Sequence, residues 1–100
     1  MDPDLADLTI ADVVLSVAGR DMGQLFYVIE TDDQYLLLVD GKGRTMDKPK
    51  KKKRKHARKV LRSETYVADK LRAGEKVLSS EIRRDLAYIS RDLQSKALGG

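Results

Sequence analysis

Residues 12–30 read "DVVLSVAGRDMGQLFYVIE", two apolar runs separated by a pentapeptide that begins and ends in glycine. In "DVVLSVA", Val13, Leu15 and Val17 share one face by period two, while Val14 and Ser16 point to the other, which is the alternation of a strand. Gly19 and Gly23 give the intervening "GRDMG" the backbone freedom for a turn or a bulge. "QLFYVIE" is apolar on both faces through Leu25, Phe26, Tyr27, Val28 and Ile29. A strand of that kind belongs at the centre of a sheet, so Phe26 and Tyr27 are expected in the core.

The same grammar continues outward. "TDDQ" (31–34) turns the chain, "YLLLVD" (35–40) is a third strand, and "GKGR" (41–44) is a further glycine turn. Three strands with short turns make a small antiparallel meander that needs more strands to close. From Ser63 the period becomes helical. Tyr66, Val67 and Leu71 form a stripe in "SETYVADKLRAG", with Gly74 as the C-terminal cap. A second helix follows a serine N-cap at Ser79 or Ser80, with Ile82, Leu86, Ile89 and Leu93 on one face. A chain of 100 residues has room for one modest core and an appendage. The expected organisation is a β domain over residues 1–62 and a helical extension over 63–100. Several placements of the helices stay open: packed on each other or on the sheet, or against a partner protein or second copy.

Charge is distributed steeply. Residues 1–40 carry nine acids against Arg20 alone, residues 41–62 carry twelve bases against Asp47, and residues 63–100 are nearly balanced, for a total of +4. Nine of those bases fall in "DKPKKKKRKHARKV" (47–60). A dipolar chain of this kind points to a partner that meets one face, with nucleic acid first, because lysine and arginine release condensed counterions when they contact phosphates. Arg20, Arg44, Tyr35 and His56 are the groups available for stacking or for base edges.

Several classes are set aside by composition. Without cysteine, and with His56 as the sole histidine, neither a disulfide framework nor a conventional zinc site can be assembled; no metal or cofactor is expected. No apolar run approaches the roughly 18 residues of a membrane span, and "MDPDLADL" is acidic where a secretory signal is basic, so a cytoplasmic protein is expected. No nucleophile stands beside a base, and Asp32, Asp33 and Asp40 read as turn residues, so an enzyme is not expected.

The segment "DVVLSVAGRDMGQLFYVIE" resembles the KOW motif, a strand, a glycine-containing loop and a second strand that form one corner of an SH3-like barrel. With "YLLLVDGKGR" and "DKPKKKKRKH" following in that order, residues 11–60 are similar to bacterial KOW-domain RNA-binding proteins related to the large-subunit ribosomal proteins of archaea and eukaryotes. The resemblance implies a mainly β fold, an SH3-like (KOW) barrel with a short α-helical C-terminal extension, and an RNA partner, ribosomal RNA foremost, in a ribosome- or translation-associated setting. Gly19, Arg20 and Asp21 match the "GRD" that leads into the family's loop, and Gly23 matches the loop glycine. Lys48, Lys50, Lys51, Lys52, Lys53, Arg54, Lys55 and His56 match its lysine-rich stretch, which leads into a closing strand near residues 57–61. Lys42, Arg44, Arg58 and Lys59 complete the expected RNA-binding set. Met22 stands where a lysine is usual, and Ala11 stands where a glycine commonly precedes the first strand. The bland readings of the basic run are a solvated loop or a nuclear address, for which "PKKKKRK" is a familiar false positive. The alternative reading of the chain is a protein-interaction module that binds polyanions without preference.

Overall fold

The computed structural model describes residues 8–99, with side chains to Lys96; the acidic "MDPDLAD" lies outside them. Five strands, β1 (Asp12–Ser16), β2 (Leu25–Thr31), β3 (Tyr35–Val39), β4 (Lys50–Lys53) and β5 (Ala57–Arg62), form one antiparallel sheet in the order β4-β3-β2-β1-β5. β2 is central, as its two apolar faces require. β1 to β4 run as a meander. A 3-10 turn (Arg54–His56) then carries the chain to the far edge, where β5 pairs with β1.

The sheet is curved. Lys52 of β4 donates from Nζ to the carbonyl of Ala18, just past β1, at 3.0 Å. In a flat sheet those two strands stand about 14 Å apart, beyond a lysine's reach, so the rim must curl and the loop after β1 must fold over it. Register shifts between Val13 and Val14 and between Val28 and Glu30 mark two bulges, which sharpen the local twist. The concave face encloses Leu8, Val14, Phe26, Val28, Leu36, Leu38 and Ala57.

The opposite face carries the helices α1 (Tyr66–Ala73) and α2 (Ser79–Gly99). Val67, Ala68, Leu71, Val77, Ile82, Leu86 and Ile89 form one buried cluster with Ala11, Val13, Tyr27 and Val39 of the sheet. The apolar helix stripe is therefore covered by the molecule's own sheet. Thr65 caps α1 by accepting from the Ala68 N–H, and Gly74 ends it in the left-handed conformation. Two expectations are corrected. Tyr66, placed on the buried stripe by spacing, is 60% exposed: as the first helical residue it sits on the outer flank, its ring beside Lys70 and its hydroxyl on Glu81. The N-cap of α2 is not a serine. Ile82 N–H bonds the carbonyl of Leu78, while the Glu81 side chain accepts from Leu78 N–H, so Leu78 takes the capping position.

Two contacts fix the helices on the sheet. The Tyr27 hydroxyl, fully buried, bonds Ser63 Oγ at 2.8 Å and the Asp85 carboxylate, which in turn accepts from Thr65 Oγ1 at 2.9 Å. Gly41, at φ +80°, lies so close to the start of α2 that a Cβ there would stand 2.3 Å from the Ser79 carbonyl oxygen and 2.7 Å from the Arg83 nitrogen.

Candidate nucleic-acid interface

The basic run is a strand for the part that forms β4, four consecutive lysines. Lysine has little intrinsic strand preference, so the conformation is imposed by pairing with β3, Lys50 opposite Leu38 through Lys53 opposite Tyr35. Period two then sorts identical residues into two populations. Lys50 and Lys52 share the concave face with Leu38 and Leu36, and Lys51 and Lys53 share the outer face with Leu37 and Tyr35.

Lys52 is only 7% exposed. Its stem follows the concave face and its ammonium ends between the Ala18 carbonyl and Asp21 Oδ1, 3.1 Å away. Lys50 approaches the other oxygen of Asp21 at 3.0 Å, and Ser16 Oγ donates to Asp21 at 2.6 Å. Burial pushes the Asp21 carboxyl up, but the hydrogen bonds from Ser16, Lys50 and Lys52 together outweigh it and hold the group at about 2. Asp21 is thus the internal counter-charge that ties the GRDMG loop to β4.

The remaining expected site residues divide in the same way. Arg54 donates to Thr31 Oγ1 and to the Asp32 carbonyl, both at 2.7 Å. Lys59 lies 3.4 Å from the buried carboxylate of Asp12. His56 is half-buried, its carbonyl accepting from Val17 N–H. By contrast Arg20, Lys42, Arg44, Lys48, Lys51, Lys53, Lys55 and Arg58 are exposed. Gly19 and Gly23 have φ of +87° and +90°, so turn geometry requires them. A Cβ at Gly23 would meet nothing within 4 Å, which leaves the loop tip, with its exposed Met22, open to solvent.

Three of the exposed bases, Arg20, Lys42 and Arg44, are brought to one end of the sheet by contacts between loops, while Lys53 lies toward the other end, opposite Tyr35. Asp40 Oδ1 accepts from the N–H groups of Lys42 and Arg44, at 2.8 and 3.0 Å, folding the β3–β4 turn tightly and leaving both side chains outward. Gln24 donates to the same Asp40, so this turn and the GRDMG loop sit at one end of the sheet. Arg83 of α2 joins them by donating to the Gly41 carbonyl at 3.3 Å. That arginine was not anticipated; its only signal in the sequence is its place on the polar side of the α2 pattern. At the opposite end, Asp32 Oδ1 accepts from Gln34 and Tyr35 N–H, the turn role expected of it. Those two bonds hold the Asp32 carboxyl below its ordinary value.

A purely structural role for some of these lysines follows from their position. β4 is an edge strand, and lysines on an edge deter pairing with another chain. That accounts for Lys51 and Lys53, and on the other edge strand, β5, for Arg58, but not for Arg20, Lys42, Arg44, Lys48 and Lys55, which lie outside both edge strands. Among the described residues no group of three or more His, Cys, Asp or Glu is placed to hold a metal ion, and no helix is long and apolar enough to cross a membrane. No protein-family model and no curated protein matches the chain.

Proposed function

We propose that the chain is a non-catalytic RNA-binding domain, an SH3-like barrel of KOW type that grips the phosphate backbone of structured RNA, with ribosomal RNA the first candidate and the cytoplasm its setting. The strand order and the 3-10 turn linking the two edges support the barrel reading. The observation that carries the RNA reading is the sorting of the bases. Asp21 and Asp12 engage inward or half-buried lysines, while Arg20, Lys42, Arg44, Lys48, Lys51, Lys53, Lys55 and Arg58, from several separate segments, project into solvent. The alternative, helices that dock a partner protein, loses the apolar stripe it needed, since that stripe is buried on the sheet.

The test is a filter-binding titration at several salt concentrations with ribosomal RNA, an unrelated RNA and duplex DNA. With about five to eight phosphates neutralised, the slope of log K against log salt is expected on the order of −4 to −7 for RNA. Changing Lys51 and Lys53 together to Gln should make that slope shallower by about 1.4. Equal affinity for all three nucleic acids would reduce the role to non-specific polyanion binding.

A further inference from the structure

The outer face of the sheet has a part that the helices leave bare. There a depression of about 210 Å³ is lined by Glu30, Thr31, Asp32, Tyr35, Leu36, Leu37 and Lys51. Its floor follows from the register: Glu30 of β2, Leu37 of β3 and Lys51 of β4 are cross-strand neighbours, and Tyr35 stands two residues from Leu37 on the same face. Leu37 and Tyr35 are half-buried, offering an apolar surface and a ring, and the Lys51 ammonium lies 4.4 Å from the ring centroid. The depression is electrically polarised, with carboxylates on the β2 side and ammonium groups on the β4 side, where exposed Lys53 lies opposite Tyr35.

A solvated charge pair needs no ring between its two halves, and a phosphate site needs no carboxylates. A nucleotide uses all of these features at once: a flat base for Tyr35 and Leu37, an anionic backbone for Lys51 and Lys53, and base N–H groups for a carboxylate. We infer that this depression receives one unpaired nucleotide of the bound RNA, a guanine in preference, an inference that rests on the RNA-binding reading above. The base lies on Leu37 and Tyr35, and Lys51 exchanges the ring for the phosphate. Glu30 accepts from the Watson–Crick edge, where guanine presents two adjacent donors, N1–H and N2–H, that match the two oxygens of one carboxylate. Uracil presents a single N–H between two carbonyl oxygens that a carboxylate repels. Asp32 already accepts two backbone N–H bonds through Oδ1, so Glu30 is the reading group and Asp32 keeps the rim acidic.

The experiment uses the whole chain and fluorescence anisotropy with the pentanucleotides UUGUU, UUIUU (I, inosine, which lacks the 2-amino group) and UUUUU, alongside guanosine monophosphate as a competitor. UUGUU is expected to bind about tenfold tighter than UUUUU, the factor one good bidentate contact supplies, with UUIUU between them. Glu30→Gln should abolish that preference with an unchanged salt slope, and Tyr35→Leu should weaken all three pentanucleotides. Competition by guanosine monophosphate at comparable concentration would instead make this a free-nucleotide site and overturn the assignment to RNA. Equal binding of the three, with salt-dependent binding of structured RNA intact, would overturn the base site alone. Loss of both would overturn the RNA reading itself.

Discussion

Two polar clusters hold appended elements on this sheet, and they are built on opposite principles. On the concave rim, Asp21 gathers Lys50, Lys52 and Ser16, fixing the GRDMG loop to β4 by charge. On the outer face, Tyr27 gathers Ser63, Thr65 and Asp85, fixing both helices to β2 through hydroxyls and one carboxylate. The rim cluster lies where solvent can relieve part of the desolvation of its charges; the helix cluster lies under packed side chains, where a neutral hydroxyl donor is cheaper to bury than an ammonium. Loop attachment is thereby tied to the charge state of the rim, and helix attachment to a neutral phenol.

The largest expected effect tests whether the helix cluster acts alone. Gly41→Ala pushes a methyl into the backbone of α2 at a left-handed position, and about 3 kcal/mol of stability should be lost, read by chemical denaturation, with hydrogen exchange of the α2 amides accelerated most. Gly23→Ala has the same sign of φ but open space around the new methyl, and should cost only about 1 kcal/mol. Equal losses would mean that α2 is not held at Gly41.

Next in size is the contrast within β4. Lys52→Gln leaves Asp21 with one cation fewer and empties a buried path, and should cost about 2 to 3 kcal/mol. Lys51→Gln, one residue away, should stay within about 0.5 kcal/mol because its ammonium is exposed. Similar losses for the two would break the division of β4 into inward, buried or half-buried lysines and outward, solvent-facing ones.

These contrasts also show what the sequence could and could not disclose. β1 to β3 were legible because apolar periodicity and turn residues are local signals. The helices were legible for the same reason, apart from Tyr66, whose exposure depends on which flank of the first turn meets the sheet. β4 had no such signal: four lysines become a strand only because Leu36, Leu37 and Leu38 offer a partner. Lys52 finds the Ala18 carbonyl 34 positions away, and Gly41 meets α2 across 42 positions, separations that no short motif encodes. The site was legible as charge, and its sorting into inner and outer lysines required the register.

The two clusters should also fail at opposite ends of the pH scale. Asp21 is held at about 2, below the roughly 3.9 of an unfolded aspartate, so its contribution is complete above pH 4 and is lost as pH falls toward 2. Tyr27 is pushed up to about 12, by burial first and by its bond to Asp85 second, so its contribution is complete below pH 10 and is lost as pH rises toward 12. Each difference corresponds to about 2.5 to 3 kcal/mol. Denaturation midpoints across pH should therefore show a shallower acid limb in Asp21→Asn and a shallower alkaline limb in Tyr27→Phe, each variant leaving the other limb as in the parent. A change in both limbs from one substitution would mean that the clusters are coupled through the sheet.

The smallest effect is expected at Ala11, which shares the core of Tyr27 but takes no part in its hydroxyl bonds. Its φ of +70° is the left-handed conformation that an alanine adopts at a cost of about 1 to 2 kcal/mol, and glycine would relieve that strain. Yet its methyl is fully buried in the cluster that contains Tyr27 and Val39. Removing a buried methyl forfeits about 1 kcal/mol, and glycine adds unfolded-chain entropy of up to about 1 kcal/mol. The terms nearly cancel, so Ala11→Gly should change stability by no more than about 0.5 kcal/mol in either direction, measured by urea denaturation. A clear gain would mean that strain before β1 outweighs packing, and a clear loss that the methyl helps to seat the helices.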